Sequence, residues 1–117
     1  MAKILVADDE LHIRNLIKLI LHEHQVIEAS DGNDALNKFK ADRPDLVILD
    51  LIMPNMNGID ACKKLRAMPE GRNAKIIMLS AKTLSELKDM PDIDADDMIT
   101  KPFDPEELRK KIDNLLN

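Results

Sequence analysis

The sequence contains no tryptophan and no tyrosine, two phenylalanines (Phe39 and Phe103), one cysteine and three glycines among 117 residues. Each scarcity excludes something. With so few aromatic faces to stack bases on, recognition of single-stranded nucleic acid is disfavoured. The lone Cys62 rules out an intramolecular disulfide, and a chain that folds without one belongs naturally to a reducing compartment, which we read as cytoplasmic. No apolar stretch approaches the ~18 residues of a membrane span, and the chain enters a strand at Lys3 with no signal-peptide pattern. We therefore expect no membrane association. The formal net charge of −5 argues against direct nucleic-acid binding.

What the chain does have suits a soluble globular fold. Hydrophobic residues make up 44% and charged residues 33%. A chain of this size buries roughly two-thirds of its unfolded surface, so it needs no disulfide or structural zinc. No linker, low-complexity tract or internal repeat interrupts it, and residues 1–117 are expected to form one domain.

Strand and helix signals alternate. Lys3–Ala7, Gln25–Ala29, Asp45–Asp50, Lys75–Leu79 and Met98–Thr100 read as five strands, three of them continuous apolar runs of the kind buried on both faces of a parallel sheet. Leu11–Leu21 reads as a helix with a wide buried face at Leu11, Leu16, Ile17, Leu19 and Ile20. Asn33–Ala41 follows the Asp31-Gly32 turn and buries Ala35, Leu36 and Phe39 before Pro44. Ile59–Met68 places Ile59, Cys62 and Leu65 on one stripe. Thr83-Leu84-Ser85-Glu86 is a capping box that starts a short helix, stopped by Pro91. Asp104-Pro105-Glu106-Glu107 supplies an N-cap, a proline at the first helical position and acids at the positive end of the dipole for the last helix. Five strand–helix units joined by short links imply a parallel sheet with helices on both faces.

The chemistry sits where those strands end. Asp8, Asp9 and Glu10 follow the first strand, Asp50 ends the third, Ser80 follows the fourth and Lys101 the fifth. In a doubly wound sheet of order 2-1-3-4-5, ligands bind at the carboxyl ends of the strands, and strands one and three are neighbours. Carboxylates gathered this closely repel one another unless a cation offsets them. Mg²⁺, which takes carboxylate, carbonyl and water oxygens, is the natural solution. A bland reading competes: Asp8, Asp9 and Glu10 simply cap the first helix. Asp50 has no such role, because Pro54 and Gly58 follow it rather than a helix. His12, His22 and His24 raise a metal site or a phosphohistidine as an alternative, but His22 and His24 read as exposed; Cys62 reads as core, and Met53 and Met56 as loop packing. The acidic run Asp89, Asp92, Asp94, Asp96 and Asp97 and the basic Arg109-Lys110-Lys111 read as solvated.

Val6-Ala7-Asp8-Asp9-Glu10, Ile48-Leu49-Asp50-Leu51-Ile52-Met53-Pro54-Asn55-Met56-Asn57-Gly58, Leu79-Ser80-Ala81-Lys82 and Thr100-Lys101-Pro102-Phe103 together resemble the receiver domain of two-component response regulators, the CheY-like superfamily, over essentially the whole chain. The resemblance implies a flavodoxin-like (βα)5 three-layer sandwich. It implies that Asp50 accepts a phosphoryl group from a sensor histidine kinase or a histidine phosphotransfer protein. Asp9, Asp50 and the Ile52 carbonyl would bind Mg²⁺ directly and Asp8 mostly through water, while Ser80 and Lys101 would contact phosphoryl oxygens. The Lys101–Pro102 bond would be cis. Output would pass through the face formed by the Thr83 helix, the fifth strand and the last helix. Its recipient would be a downstream effector protein or an output domain outside these residues. Such a protein is not an enzyme in the ordinary sense; it catalyses only its own phosphorylation and dephosphorylation.

The chain departs from the family pattern at Met98, where a Tyr or Phe is usual, and at Asp94-Ala95-Asp96-Asp97, where Gly-Ala-Asp-Asp is usual. The segment between Ser80 and Lys101 is also slightly short. We expect intact phosphorylation with altered signalling through that face. Two other readings compete. A pseudo-receiver, binding partners without phosphate, fits poorly with a full set of acids, Ser80 and Lys101. A haloacid-dehalogenase-like phosphatase needs a second Asp two residues after the first, where Ile52 stands.

Overall fold

The computed structural model describes residues 1–81 and 93–117. Within them the chain runs β1 (Lys3–Ala7), α1 (Leu11–Ile20), β2 (Gln25–Ala29), α2 (Gly32–Asp42), β3 (Leu46–Asp50), α3 (Gly58–Ala67), a 3-10 turn (Pro69–Gly71), β4 (Lys75–Ser80), β5 (Asp97–Thr100) and α4 (Pro105–Leu116). The helix expected to begin at Thr83 lies outside the described residues. All strands pair in parallel, in the order β2-β1-β3-β4-β5. This is the flavodoxin-like three-layer sandwich that the alternation of elements predicts.

Strand periodicity builds the two cores. Leu5, Ala7, Val47, Leu49, Ile76 and Met78 face one way and pack with Ala35 and Phe39 of α2 and Cys62 and Leu65 of α3. The alternate residues Ile4, Val6, Ile48, Ile77, Leu79 and Ile99 face the other way, against Ile17 and Ile20 of α1 and Leu108 and Ile112 of α4. Every residue of β3 is buried, as expected of the central strand of a covered parallel sheet. Side-chain caps set three helix starts. Asp31 accepts from the Asp34 amide (2.8 Å), Asn57 from Asp60 (2.9 Å) and Asp104 from Glu106 (2.9 Å).

Three sequence expectations need correction. The buried stripe of α1 differs from the expected one: Ile17 and Ile20 pack as expected, but Leu11, Leu16 and Leu19 are 58%, 42% and 73% exposed, and Ile13 and Leu21 complete the stripe. A helix lying on a sheet buries one stripe at i, i+4, i+7 and i+8, and Ile13 begins it. Of the acidic run, Asp89 and Asp92 lie outside the described residues and Asp94 is exposed as expected, but Asp96 and Asp97 are not simply solvated. Asp96 pairs with Arg66 at 2.9 Å and accepts the Ile76 amide at 2.8 Å. Asp97 pairs with Lys111 at 3.0 Å, which takes Lys111 out of the solvated basic run. His24 is largely buried and accepts the Ala2 amide at Nδ1 (2.9 Å). Cys62, Met53 and Met56 pack in or against the core as expected.

Candidate functional site

The carboxyl ends of β1, β3, β4 and β5 meet at one edge of the sheet. The apolar strands leave no polar alternative there, so the first residue beyond each buried run is held rigidly at the rim. Asp8 is fully buried, Asp50 is 6% exposed and Ser80 is 1% exposed. Lys101 reaches in from the end of β5. Its ammonium lies 2.8 Å from Asp8 Oδ2, 3.3 Å from Asp50 Oδ2 and 3.7 Å from Glu10 Oε1. Its backbone amide donates to the Ser80 carbonyl at 2.7 Å, which ties the end of β5 to that of β4. The Lys101–Pro102 bond is cis.

An open cleft of about 250 Å³ lies over this group, lined by Asp9, Glu10, Asp50, Ile52, Ala81 and Lys101. Of the residues singled out from sequence, Asp9, Asp50, Ile52 and Lys101 thus share the cleft. Asp8 is buried and joined to the cleft by its 2.8 Å pair with Lys101, and Ser80 is buried one residue before Ala81. Sequence reasoning missed Glu10 as a member of the site. Its signal was simple adjacency to Asp8-Asp9, read there as capping.

The capping reading of the acids does not hold. Helix α1 starts without any side-chain cap. Asp8 Oδ1 instead accepts the Glu10 amide at 2.9 Å, folding the loop over the site. Carboxylate oxygens of Asp8, Asp9 and Glu10 lie within 4.8 Å of one another. This all-oxygen donor set is what a hard divalent cation takes.

Electrostatics agree with a site short of positive charge. Burial, and then the neighbouring Asp8 charge, push the Asp50 carboxyl up to about 6, with Lys101 opposing them. Burial works to lower the Lys101 pKa, but its hydrogen bond to Asp8 and the charges of Asp50 and Asp8 outweigh that and leave it raised. One ammonium therefore serves several carboxylates, and a second cation would relieve the remainder.

Downstream of Asp50 the chain turns back sharply. Gly58 donates to the Leu51 carbonyl at 2.9 Å, and a Cβ on Gly58 would lie 2.1 Å from the Asp50 carbonyl oxygen. Only glycine allows α3 to start this close behind the site. Asn55, with φ of 67°, takes the left-handed conformation in the same loop.

Comparison with known proteins is consistent throughout. A family model described as the response regulator receiver domain matches residues 4–113. The alkaline phosphatase synthesis transcriptional regulatory protein PhoP of Bacillus subtilis is 40% identical over 117 residues, covering 97% of this chain and 48% of that protein. The chain thus spans about half the length of such curated relatives. Response regulator TrrA of Thermotoga maritima, solved in complex with Mg²⁺ and BeF, is 38% identical with a TM-score of 0.88, over 99% of this chain and 100% of that one. The receiver domain of sensor histidine kinase PA1611 from Pseudomonas aeruginosa, solved with a magnesium ion coordinated in its active-site cleft, is 25% identical with a TM-score of 0.92, over 98% and 97% of the two chains. By sequence and by fold, this chain belongs to the response regulator receiver domain family.

Proposed function

We propose that residues 1–117 act as one phosphoacceptor receiver unit of a cytoplasmic two-component system. A sensor histidine kinase or a histidine phosphotransfer protein would supply the phosphoryl group to Asp50. The observation that carries this reading is the position of Asp50. It is a nearly buried carboxylate at the floor of a cleft, 3.3 Å from the Lys101 ammonium, with further acids alongside.

An oxygen of the Asp50 carboxylate attacks phosphorus. The phosphorus–nitrogen bond to the donor imidazole breaks, and the imidazole nitrogen keeps the electron pair and takes up a proton. Asp8, Asp9, Asp50 and the Ile52 carbonyl would hold Mg²⁺, which supplies positive charge opposite the transferring oxygens. Lys101 already lies among the acids and neutralises another phosphoryl oxygen as a point charge. Ser80 donates its hydroxyl to a third. The buried floor excludes water from the side of attack, while the cleft stays open above for the donor.

The donor must bring a histidine to that opening. Among the described residues Ile52 is a large apolar side chain exposed at the cleft, and Leu11, Leu16 and Leu19 are exposed on α1, the helix that follows the acidic loop. A helical surface carrying the phosphohistidine fits this apolar face. PhoP, as its name says, is a transcriptional regulator. An output of that kind, through an attached domain or a separate effector, is the natural destination of the signal.

Incubation with Mg²⁺ and acetyl phosphate tests the reading by intact mass. One added phosphoryl group is expected, absent in Asp50→Asn and absent with chelator. An unmodified wild-type mass would overturn it and favour a phosphorylation-independent binding module.

A further inference from the structure

Arg14, one turn into α1, has no place in the proposed chemistry, yet its side chain is only 15% exposed. Its Nη1 donates to the Asp8 carbonyl oxygen at 2.7 Å, and its Nε donates to Glu28 Oε1 at 3.0 Å. Lys18, one turn further along α1, holds the other Glu28 oxygen at 3.1 Å. The hydrogen bond from Lys18, opposed by burial and helped by the bond from Arg14, keeps the Glu28 carboxyl below its ordinary range. Glu28 belongs to β2, so Arg14 bridges a strand of the sheet to the backbone of the acidic loop.

The bridge lands on a particular peptide. The Asp8 carbonyl belongs to the peptide unit joining Asp8 to Asp9. The Asp8 amide is fixed by the Ala29 carbonyl at 3.1 Å, and the Asp8 carboxylate by the Glu10 amide and Lys101. Asp9 is exposed, and among the described residues its carboxylate has no hydrogen-bond or ion-pair partner. The point from which the Asp9 side chain departs is therefore fixed by the preceding peptide, and Arg14 anchors the carbonyl of that peptide. We propose that Arg14, anchored by Glu28, is a positioning residue that pre-orients the Asp8–Asp9 loop for the divalent cation. The proposal rests on the metal-binding reading above. Outer groups that orient ligands typically contribute roughly 10- to 100-fold in metal affinity.

The sign of the effect separates positioning from simple charge. Removing a cation near several carboxylates should strengthen Mg²⁺ binding if Arg14 acts only through its field. Loss of positioning should weaken it. Arg14→Lys keeps the charge but cannot reach both partners with a planar fork.

Calorimetric titration with Mg²⁺ alone, without any phosphodonor, provides the test. Arg14→Gln should bind roughly tenfold more weakly than wild type or worse, Arg14→Lys should be weaker than wild type, and Lys18→Gln should not be weaker. Arg14 variants that bind as tightly as wild type, or more tightly, overturn the proposal. Far-UV circular dichroism and urea midpoints check that each variant folds. If Arg14→Gln does not, Glu28→Gln carries the test at about 0.5 M salt, where long-range charge effects are screened. Weaker binding is expected there and unchanged binding overturns the proposal. Wild-type protein that fails to bind Mg²⁺ brings down the metal-binding reading and this proposal together. Wild-type binding with unaffected Arg14 variants brings down this proposal alone.

Discussion

Replacing Asp50 with asparagine should stabilise the metal-free protein at neutral pH while abolishing phosphorylation. The Asp50 carboxyl, ordinarily at 3.8, stands at about 6 in the fold, chiefly from burial. A carboxyl raised in this way is better accommodated protonated. Well below its unfolded pKa it imposes no penalty. As pH rises from about 4 towards 6 the unfolded chain gives up a proton that the folded carboxyl keeps, and stability falls. Above that the penalty is constant. A displacement of about two pH units corresponds to about 3 kcal/mol, and the Asp50 side chain is only 8% exposed, so little of this is screened away.

The Asp50→Asn variant carries no charge at this position. Its stability advantage over wild type should therefore be below about 1 kcal/mol at pH 4 and widen to about 3 kcal/mol by pH 8. With a urea dependence of about 1–3 kcal/mol per molar, that is a midpoint shift of about 1–2 M. The assay is urea unfolding in chelator from pH 4 to 8, followed by far-UV circular dichroism because the chain has no tryptophan or tyrosine. Saturating Mg²⁺ should then close the gap, since it binds the folded wild type and offsets the charge. A difference that stays flat across this range, or narrows as pH rises, would refute the assignment of Asp50 as a buried, charge-stressed carboxylate.

Gly58→Ala should destabilise by about 2–4 kcal/mol and cut phosphorylation further than the lost stability explains, because the added Cβ strikes the Asp50 carbonyl itself; near-normal phosphorylation of the folded variant would contradict this. Ile52 lines the cleft without a polar group to orient water, so the phosphoryl group should be long-lived, and Ile52→Asn should shorten its life roughly tenfold, about 1.4 kcal/mol in barrier; decay of the wild-type label within seconds would count against this. Met98, packed against the core beside β4 in place of a rigid aromatic, should mute the response of β5. Amide exchange over residues 93–100 should change little on adding beryllofluoride with Mg²⁺, and a full rearrangement would disprove it.

The sheet was legible because β3 and its neighbours are buried on both faces, which demands unbroken Val, Ile and Leu and makes the following Asp or Lys conspicuous. The convergence of Asp8, Asp50, Ser80 and Lys101 on one edge was legible for the same reason. What escaped were features whose meaning depends on a distant partner. Asp96 looks like any surface acid until Arg66, 30 residues earlier, folds against it. Glu10 reads as a cap until the Asp8 side chain takes its amide instead. Arg14 carries no signal in the sequence; its role shows only once Glu28 and the Asp8 carbonyl close around it.

The first helix is where pattern and fold part most clearly. It carries two apolar stripes, and hydrophobicity alone ranks both as core. The fold uses Ile13, Ile17, Ile20 and Leu21. It leaves Leu11, Leu16 and Leu19 in water, where burying them on a partner would contribute about 1.5–3 kcal/mol each. A chain that gained nothing from contact there would be expected to carry polar residues on that side, as α2 does at Asn33, Asn37 and Lys40. Sequence pattern reports that a surface is meant to be covered but not by what. On α1 the sheet covers one stripe, and the exposed leucines are left on the helix that follows the acidic loop.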